Sequence, residues 1–294
     1  MADIPGVENF SLQVVTIRND YSKKRDSTNL FPQTGRKLIN SSKELMSNTL
    51  YYIFWYGRND DYEIVGDQIR PLEQAPPLPT EELDDSEDLG QILKLLPVVQ
   101  SKYESEVRNL LKCQEESCPG KPVSEHIIQL LGKSTDGKLV FEKFKPRYLV
   151  LGQVHALPTY LDWILQLISG LKSLHLLGIV HRDLRIENLV FSRDNSKIVI
   201  IDLETHWGIR QAPELSRDPN MDPEWTEKSD IYDLGNVVRQ MVLGNAPITD
   251  RVEIPVPSPL DRIVEACTNP SPEKRLSLDK LHQMVLEMRL CDRN

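Results

Sequence analysis

Three oxygen-bearing side chains stand at positions where they could act on a phosphate group. Asp183 and Asn188 lie five residues apart, between a predicted long helix and a short apolar strand, and Asp202 ends the next apolar run. Mg²⁺ prefers hard oxygen ligands and brings phosphates with it, while a carboxylate can orient a hydroxyl and accept its proton. One such residue alone would more often be a turn or capping residue. Together, their spacing predicts phosphoryl transfer.

The overall composition is that of an acidic globular protein. The chain has 294 residues, a formal net charge of -9, 39% hydrophobic residues and 27% charged residues. An acidic surface repels phosphate backbones and anionic lipids, so we expect neither nucleic acid nor a membrane surface as a partner. The N-terminus lacks the features of a signal peptide, and no apolar run approaches the ~20 residues that span a bilayer. We therefore expect a cytoplasmic or nuclear protein.

The second half of the chain has the pattern of a helical domain around the three polar side chains. A long helix is predicted between a cap at Thr159 and a stop at Gly178. Two short strands, at 189–191 and 198–201, should follow it. Further helices are predicted from apolar residues at helical spacing within 231–242, 260–267 and 281–288.

The first half of the chain is richer in predicted strands. Val14, Val15 and Ile17 suggest a short strand, and an aromatic run at 50–55 with a return strand at 62–69 suggests a hairpin. A proline-rich, acidic stretch at 71–90 is predicted to be an exposed loop. A strand at 91–96, a helix at 99–113 and two strands at 127–131 and 139–144 should complete this half.

This order of elements predicts an α+β fold with two lobes. We expect a small, strand-rich N-lobe at residues 49–144, which contains the acidic loop, and a larger, mostly helical C-lobe at residues 145–294. Residues 1–48 are interpreted as an N-terminal extension or a supplement to the N-lobe. The three polar side chains would then lie in the C-lobe.

In this helical half the chain resembles the eukaryotic protein kinase family. The order and spacing of the family's motifs agree over roughly residues 135–291, and five motifs in register are far more specific than one. The motifs are HRDLRIENLVF at 181–191, IIDLE at 200–204, APE at 212–214, SDIYDLG at 229–235 and PEKR at 272–275.

The resemblance assigns roles to the polar residues of these motifs. It implies that Asp183 is the catalytic base, that Asn188 is a magnesium ligand, and that Asp202 is the main magnesium ligand bridging the phosphates of ATP. It also implies that Glu214 and Arg275 form a buried ion pair.

A further role concerns Asp230, which by resemblance would accept hydrogen bonds from the backbone of the catalytic loop. Arg185 stands two residues after Asp183, where the family usually has lysine. Arginine keeps the positive charge and can reach a phosphate, but it does so as a planar fork.

Four residues of the N-lobe resemble the part of a kinase that holds ATP. Lys94 resembles the lysine that contacts ATP, and Glu106 the helix glutamate that pairs with this lysine. Both would otherwise be ordinary surface charges. The run at 140–144, with Glu142 and Phe144, resembles the last strand and the hinge, whose backbone would hold adenine.

The chain departs from the family's pattern at several positions. It has no G-x-G-x-x-G loop to cover the phosphates, and Glu204 replaces the glycine of the DFG motif. Only eleven residues separate Asp202 from Glu214, so a long activation loop switched by phosphorylation is not available.

Three functions fit these observations. The first is an active protein kinase that transfers the γ-phosphoryl group of ATP to a Ser or Thr hydroxyl of a protein, with ATP and Mg²⁺ as cofactors. The second is a pseudokinase, a binding or scaffold module with weak or no phosphotransfer. The third is a small-molecule phosphotransferase, which the APE motif and Arg275 disfavour. The complete set of Asp183, Asn188 and Asp202 favours the first.

Overall fold

A computed structural model describes residues 9–27, 62–65, 68–71, 101–115, 123–133, 139–203, 212–215, 225–246 and 252–291. The chain divides into two compact units, one made of residues 1–22 and 83–294 and the other of residues 23–82. The helices are α1 (Phe10–Ser27), α2 (Ser101–Glu115), α3 (Arg147–Leu151), α4 (Leu157–Leu176), α5 (Glu227–Leu243), α6 (Leu260–Cys267) and α7 (Leu278–Cys291). The strands are β1 (Tyr62–Val65), β2 (Gln68–Pro71), β3 (Leu130–Lys133), β4 (Leu139–Phe141), β5 (Lys145–Pro146), β6 (Leu189–Phe191) and β7 (Ile198–Ile200).

The smaller unit contains an antiparallel hairpin. Strands β1 and β2 pair with Tyr62 opposite Pro71 and Val65 opposite Gln68. The prediction of one return strand at 62–69 is therefore wrong, because this stretch is divided between two strands that pair with each other. Its predicted partner at 50–55 lies outside the described residues.

Helix α4 is the centre of the hydrophobic core. Side chains on several sides of the helix are buried, which is expected of a helix surrounded by other elements. The prediction of a cap at Thr159 is wrong, because the helix begins at Leu157 after Ala156 and has no side-chain cap. Pro158 occupies its first turn, where a missing backbone N–H costs nothing. Gly178 follows the helix with φ of 67°, which glycine adopts without strain.

Helices α5, α6 and α7 lie where the apolar spacing predicted helices. Helix α7 packs on α4, and α5 packs closely on α6. Gly235 permits this close approach, because a Cβ atom there would lie 2.7 Å from the Cβ of Cys267. The apolar faces of these helices, predicted from spacing, are buried together with α4 in one continuous core.

A three-stranded antiparallel sheet lies beside this core. Strand β6 is central, pairing with β5 on one side and with β7 on the other. The far edge of β7 is also occupied, since Ile200 donates to the carbonyl of His126 and accepts from the N–H of Ile128, both at 2.9 Å. These strands were predicted at 189–191 and 198–201, and the structure confirms both.

Helix α2 packs beside the second antiparallel pair, β3 and β4. It carries the predicted buried face, with Val107, Leu110 and Leu111 each at most 4% exposed. Near its end, the side chain of Gln114 both donates to and accepts from the backbone of Leu130, at 3.0 and 3.1 Å. The helix is thus joined to β3 by an amide pair.

The strand predicted around Val14 and Ile17 is wrong, because these residues belong to helix α1. Phe10, Val14, Ile17 and Tyr21 recur at helical spacing, and Phe10, Val14 and Tyr21 are at most 2% exposed. Phe10 packs edge-on against Tyr160 of α4 at 5.7 Å between ring centroids. The first part of α1 therefore completes the core of the helical domain.

The architecture is α+β, with antiparallel strands and mostly helices, as the sequence predicted. The domain boundaries at residues 48 and 144 remain predictions. Within the described part of the chain, no helix combines the length and the apolar character needed to cross a bilayer.

Candidate active site

Helix α5 begins with a cap that fixes the position of a buried carboxylate. The hydroxyl of Thr226 accepts from the N–H of Lys228 at 3.2 Å, and the hydroxyl of Ser229 accepts from the N–H of Thr226 at 3.0 Å. This reciprocal capping box stabilises the first turn. Asp230 follows directly and is fully buried.

Asp230 holds the backbone of the loop that follows α4. Its Oδ2 accepts from the N–H of His181 at 2.8 Å, and its Oδ1 accepts from the N–H of Arg182 at 2.9 Å. The side chain of His175 donates to Oδ2 as well, at 2.8 Å. Arg182 has φ of 70°, a strained conformation for a residue with a side chain. The two bonds from the loop backbone offset that strain.

His181 joins the same loop to the strand that carries Asp202. Its Nε2 lies 3.1 Å from the carbonyl of Ile201, and its Nδ1 lies 3.3 Å from the N–H of Asp183. A carbonyl can only accept and a backbone N–H can only donate, so Nε2 carries the proton and Nδ1 accepts. The fully buried ring therefore fixes two segments of the site relative to each other.

Asp183 and Asn188 are brought together as the sequence predicted. The Nδ2 of Asn188 donates to the main-chain carbonyl of Asp183 at 2.8 Å and to its Oδ2 at 3.0 Å. Asn188 is 8% exposed, so its amide is committed to this loop. These bonds hold the carboxylate of Asp183 in one orientation. A carboxylate that accepts a proton from a hydroxyl needs such a fixed orientation.

Asn188 and Asp202 lie at the same end of the β6–β7 pair. Leu189 faces Ile200 in the ladder, and the next bond runs from the N–H of Ile201 to the carbonyl of Asn188 at 3.0 Å. Asp202 follows Ile201 with φ of 66°, which turns the chain sharply at the strand end.

The donor set at this end suits Mg²⁺. With Nδ2 of Asn188 bonded to Asp183, its Oδ1 remains as the acceptor of that amide, and Asp202 supplies a carboxylate at the same end of the strand pair. No group of three or more His, Cys, Asp or Glu residues able to hold a metal occurs among the described residues. Two protein oxygens are enough for Mg²⁺, which keeps several waters and binds phosphate oxygens.

The ion pair predicted between Arg275 and Glu214 is present. Arg275 donates to both carboxylate oxygens of Glu214 at 2.6 Å, and its guanidinium lies 4.8 Å from the ring centroid of Tyr232. Arg275 also donates to the carbonyls of Asn269 and Lys228, at 2.8 Å each. The buried guanidinium therefore has several hydrogen-bond acceptors.

A second buried carboxylate, Asp233, lies one helical turn after Asp230. It is 2% exposed, and its Oδ1 has no hydrogen-bond partner in the described structure. Burial raises the pKa of Asp233 well above its ordinary value, and the negative charges of Asp230, Asp183 and Glu214 raise it further. The protonated form is therefore favoured. Sequence reasoning missed Asp233, although its i, i+3 spacing from Asp230 was visible.

Arg185 is engaged by a carboxylate on its own loop. Its Nε donates to Oε2 of Glu187 at 2.8 Å, and Nη2 of Arg147 donates to the other oxygen, Oε1, at 2.8 Å. Glu187 and Arg147 were not predicted as site residues. Arg147 is 40 residues from Glu187, so no local pattern pointed to it.

Of the two residues predicted to pair near ATP, Lys94 and Glu106, the structure describes only Glu106. Glu106 lies on α2 and is half-buried, whereas its predicted partner Lys94 lies outside the described residues. Asn109, one turn further along α2, donates to the carbonyl of Leu203 at 2.8 Å. The sequence analysis missed this link between α2 and Leu203. The available signal was that Asn109 stands three residues after Glu106 and so lies on the same face of α2.

The predicted hinge lies between β4 and β5. Glu142 is exposed, and Phe144 is half-buried against the hydrophobic core. These positions leave the proposed role of their backbone in holding adenine as a prediction.

The fold and the loop geometry resemble those of protein kinases, and comparisons with known proteins find partial similarity to members of that family. A serine/threonine-protein kinase of Schizosaccharomyces pombe, ppk25, is 33% identical over 150 residues, which cover 40% of this chain and 34% of that protein. A serine/threonine-protein kinase-like protein of Arabidopsis thaliana is 30% identical over 139 residues, covering 41% of this chain and 40% of that protein.

A third relative extends the same similarity. The mitogen-activated protein kinase kinase kinase mom-4 of Caenorhabditis briggsae is 28% identical over 102 residues, covering 32% of this chain and 19% of that protein. The chain thus spans less than half the length of each of these three relatives. No protein-family model matches the chain.

Proposed function

We propose that the protein is a divergent kinase that transfers the γ-phosphoryl group of ATP to a serine or threonine hydroxyl of a protein substrate. The observation that carries this proposal is the bond from Asn188 to Asp183, within a loop that Asp230 holds by two backbone hydrogen bonds. Phosphoryl transfer depends mainly on positioning and on electrostatic stabilisation, and this loop supplies the positioning.

The chemistry assigned to Asp183 is general-base catalysis. Its carboxylate accepts the proton of the substrate hydroxyl while the hydroxyl oxygen forms a bond to the γ-phosphorus. The bond between that phosphorus and the β–γ bridging oxygen breaks, and ADP leaves. Asn188 fixes the direction of the accepting oxygen, because it donates to Oδ2 of Asp183.

Asn188 and Asp202 would hold Mg²⁺, which neutralises charge that develops on the phosphates. Arg275 and Glu214 act structurally in this proposal, since their bond ties the segment at 212–215 to the helical domain. The names of the relatives, two of them protein kinases, support a protein substrate.

The test measures transfer of labelled phosphate from ATP, with Mg²⁺, to a mixture of casein and histones and to the protein itself. The Asp183→Asn variant should lose at least about 100-fold in rate, the usual contribution of a general base. Asp261→Asn, which removes an exposed carboxylate of α6, serves as the matched control and should keep the rate. Equal rates for the wild type and Asp183→Asn would overturn the proposal.

The same experiment separates the alternatives. The absence of a G-x-G-x-x-G loop and the presence of Glu204 favour a pseudokinase, which would bind ATP without transferring phosphate. Thermal unfolding with and without Mg²⁺–ATP measures that binding directly. Transfer to small hydroxyl compounds but to neither protein would indicate a small-molecule phosphotransferase instead.

A further inference from the structure

Two arginines from different elements share one carboxylate, Glu187, in the segment that follows Asp183. Arg185 belongs to the catalytic loop and Arg147 is the first residue of α3, and each lies 2.8 Å from a different oxygen of Glu187. Two positive charges thus face one negative charge. The cluster carries a net charge of +1 in a chain whose net charge is -9.

Most hydrogen-bond donors of these arginines have no partner among the residues that the structure describes. A guanidinium has five N–H donors, and each arginine donates here through a single nitrogen. The side chains of Arg147 and Arg185 are 25% and 31% exposed, so solvent reaches them. The two forks can therefore bind a further acceptor without breaking their bonds to Glu187.

The electrostatics of the cluster favour an added anion. Burial lowers the pKa of Arg147, the charge of Glu187 raises it, and the charge of Arg185 lowers it again. Glu187 already accepts from both arginines, whose positive charges still repel each other. An anion between them would relieve that repulsion.

The direction of the cluster indicates which ligand it would meet. Glu187 is exposed and the adjacent Asn188 is buried, so the arginine cluster faces solvent while the amide of Asn188 faces the interior. Arg185 stands two residues from Asp183, whose carboxylate would meet the hydroxyl of the substrate. A side chain that flanks this hydroxyl would come close to the cluster.

We propose that Arg147 and Arg185 bind an anionic side chain, a carboxylate or a phosphate, that flanks the acceptor hydroxyl of a protein substrate. This inference rests on the proposed function, because it assigns a substrate to the same loop. Glu187 acts here as a positioning residue that holds the two forks apart and in place. The recognition is short-range, because the overall charge of the chain repels acidic peptides.

The test measures fluorescence anisotropy of labelled peptides bound to the protein with Mg²⁺ and a non-hydrolysable ATP analogue. Three peptides share one central serine and differ in their flanking residues, which are glutamate, phosphoserine or lysine. We expect the first two to bind more tightly than the lysine peptide. If the phosphoserine peptide binds more tightly than the glutamate peptide, the site prefers phosphate. If the two bind equally, the site accepts either anion.

Variants connect the preference to the cluster. Arg147→Gln should weaken binding of the anionic peptides about three- to tenfold and reduce its dependence on salt. Arg262→Gln on the exposed side of α6 is the matched control and should change nothing. Glu187→Gln keeps an acceptor oxygen for the arginines and removes the competing negative charge, so it should strengthen the same binding. It tests the inference even if Arg147→Gln fails to fold.

Two outcomes would overturn the inference, namely tighter binding of the lysine peptide or unchanged affinities in both variants. Phosphotransfer to the same peptides is measured separately. Transfer that is equal for all three peptides would overturn the inference and leave the proposed function intact. Selective binding of the anionic peptides without any transfer would overturn the proposed function and the substrate role with it, and would leave the arginines as an anion-binding site.

Discussion

Arg275 and Glu214 form a two-point hydrogen-bonded ion pair across 61 residues of sequence, with both N–O distances at 2.6 Å. The partners are not equally buried, since the side chain of Arg275 is fully inaccessible and that of Glu214 is 22% exposed. Arg275 also donates to main-chain carbonyls of two other segments. Its loss should therefore disturb more of the structure than the loss of its partner.

The first prediction follows from this asymmetry. Arg275→Met should lower the free energy of unfolding by about 3–5 kcal/mol, because it leaves Glu214 and two carbonyls without their donor. Glu214→Gln should cost only about 1–2 kcal/mol, since the amide oxygen still accepts and the carbonyls keep Arg275. Urea denaturation measures both. Equal losses in the two variants would contradict the prediction.

The second prediction concerns Asp230 and the loop backbone that it holds at His181 and Arg182. Asp230 accepts from the backbone N–H groups of His181 and Arg182. In Asp230→Asn, one of these N–H donors would face the N–H₂ donor of the new amide. The loss should be about 3 kcal/mol, because a charge-assisted bond is replaced by an opposed pair of donors. Hydrogen exchange of the same two amides should become faster. Asp162→Asn, which removes the partly exposed partner of Arg289, should cost at most about 1 kcal/mol.

The parts of the fold that the sequence predicted well are those governed by local spacing. Helices α5, α6 and α7 each have a regular apolar face, and the polar spacing from Asp183 to Asn188 lies within one loop. In α1 the short run of β-branched residues suggested a strand. The longer spacing of Phe10, Val14 and Tyr21 determines the outcome, because it lets α1 bury one face on the helical domain.

The contacts that could not be predicted join residues far apart in sequence. Arg147 meets Glu187, and Asn109 meets the carbonyl of Leu203. Neither contact leaves a local pattern, because a polar residue on a helix surface has the same spacing whether it faces water or a neighbouring loop. Only the packing of α2 and α3 against the segments that contain Leu203 and Glu187 decides between these environments.

The third prediction concerns Arg18, which joins α1 to two helix ends. Its guanidinium donates to the carbonyl of Val242 at 2.8 Å, at the end of α5, and to that of Leu151 at 3.0 Å, at the end of α3. These carbonyls lack partners within their own helices. Arg18→Met should therefore lower the free energy of unfolding by about 1–3 kcal/mol and speed amide exchange in α1.

Three further variants test the contribution of Arg18 and of the chain around it. Arg18→Lys keeps the charge but not the planar fork, so it should recover only part of the lost stability. Arg262→Met removes an exposed arginine of α6 and should have little effect. Gly244→Ala should also destabilise, because its φ is 67° and the new Cβ would collide with the carbonyl of Leu151. Unchanged exchange in α1 of Arg18→Met would argue against the anchoring role.

The fourth prediction is a pH dependence of stability caused by Asp233. Burial, followed by the charges of Asp230, Asp183 and Glu214, raises the pKa of Asp233 in the folded state. In the unfolded chain the same group titrates near pH 4. Between these two pKa values the folded state binds more protons, so the free energy of unfolding falls as pH rises. This contribution is fully present below about pH 4 and is lost progressively above it.

Asp233→Asn removes this proton uptake while it keeps the shape of the side chain. The stability of the wild type relative to this variant should fall as pH rises from about 4, by at most about 1.4 kcal/mol per pH unit. Urea denaturation at several pH values measures the difference, and the exposed Asp261→Asn provides a baseline. Asp183→Asn should flatten the slope, because one of the charges that raise the pKa of Asp233 is removed. Parallel curves for the wild type and Asp233→Asn would mean that Asp233 is ionised in the folded protein.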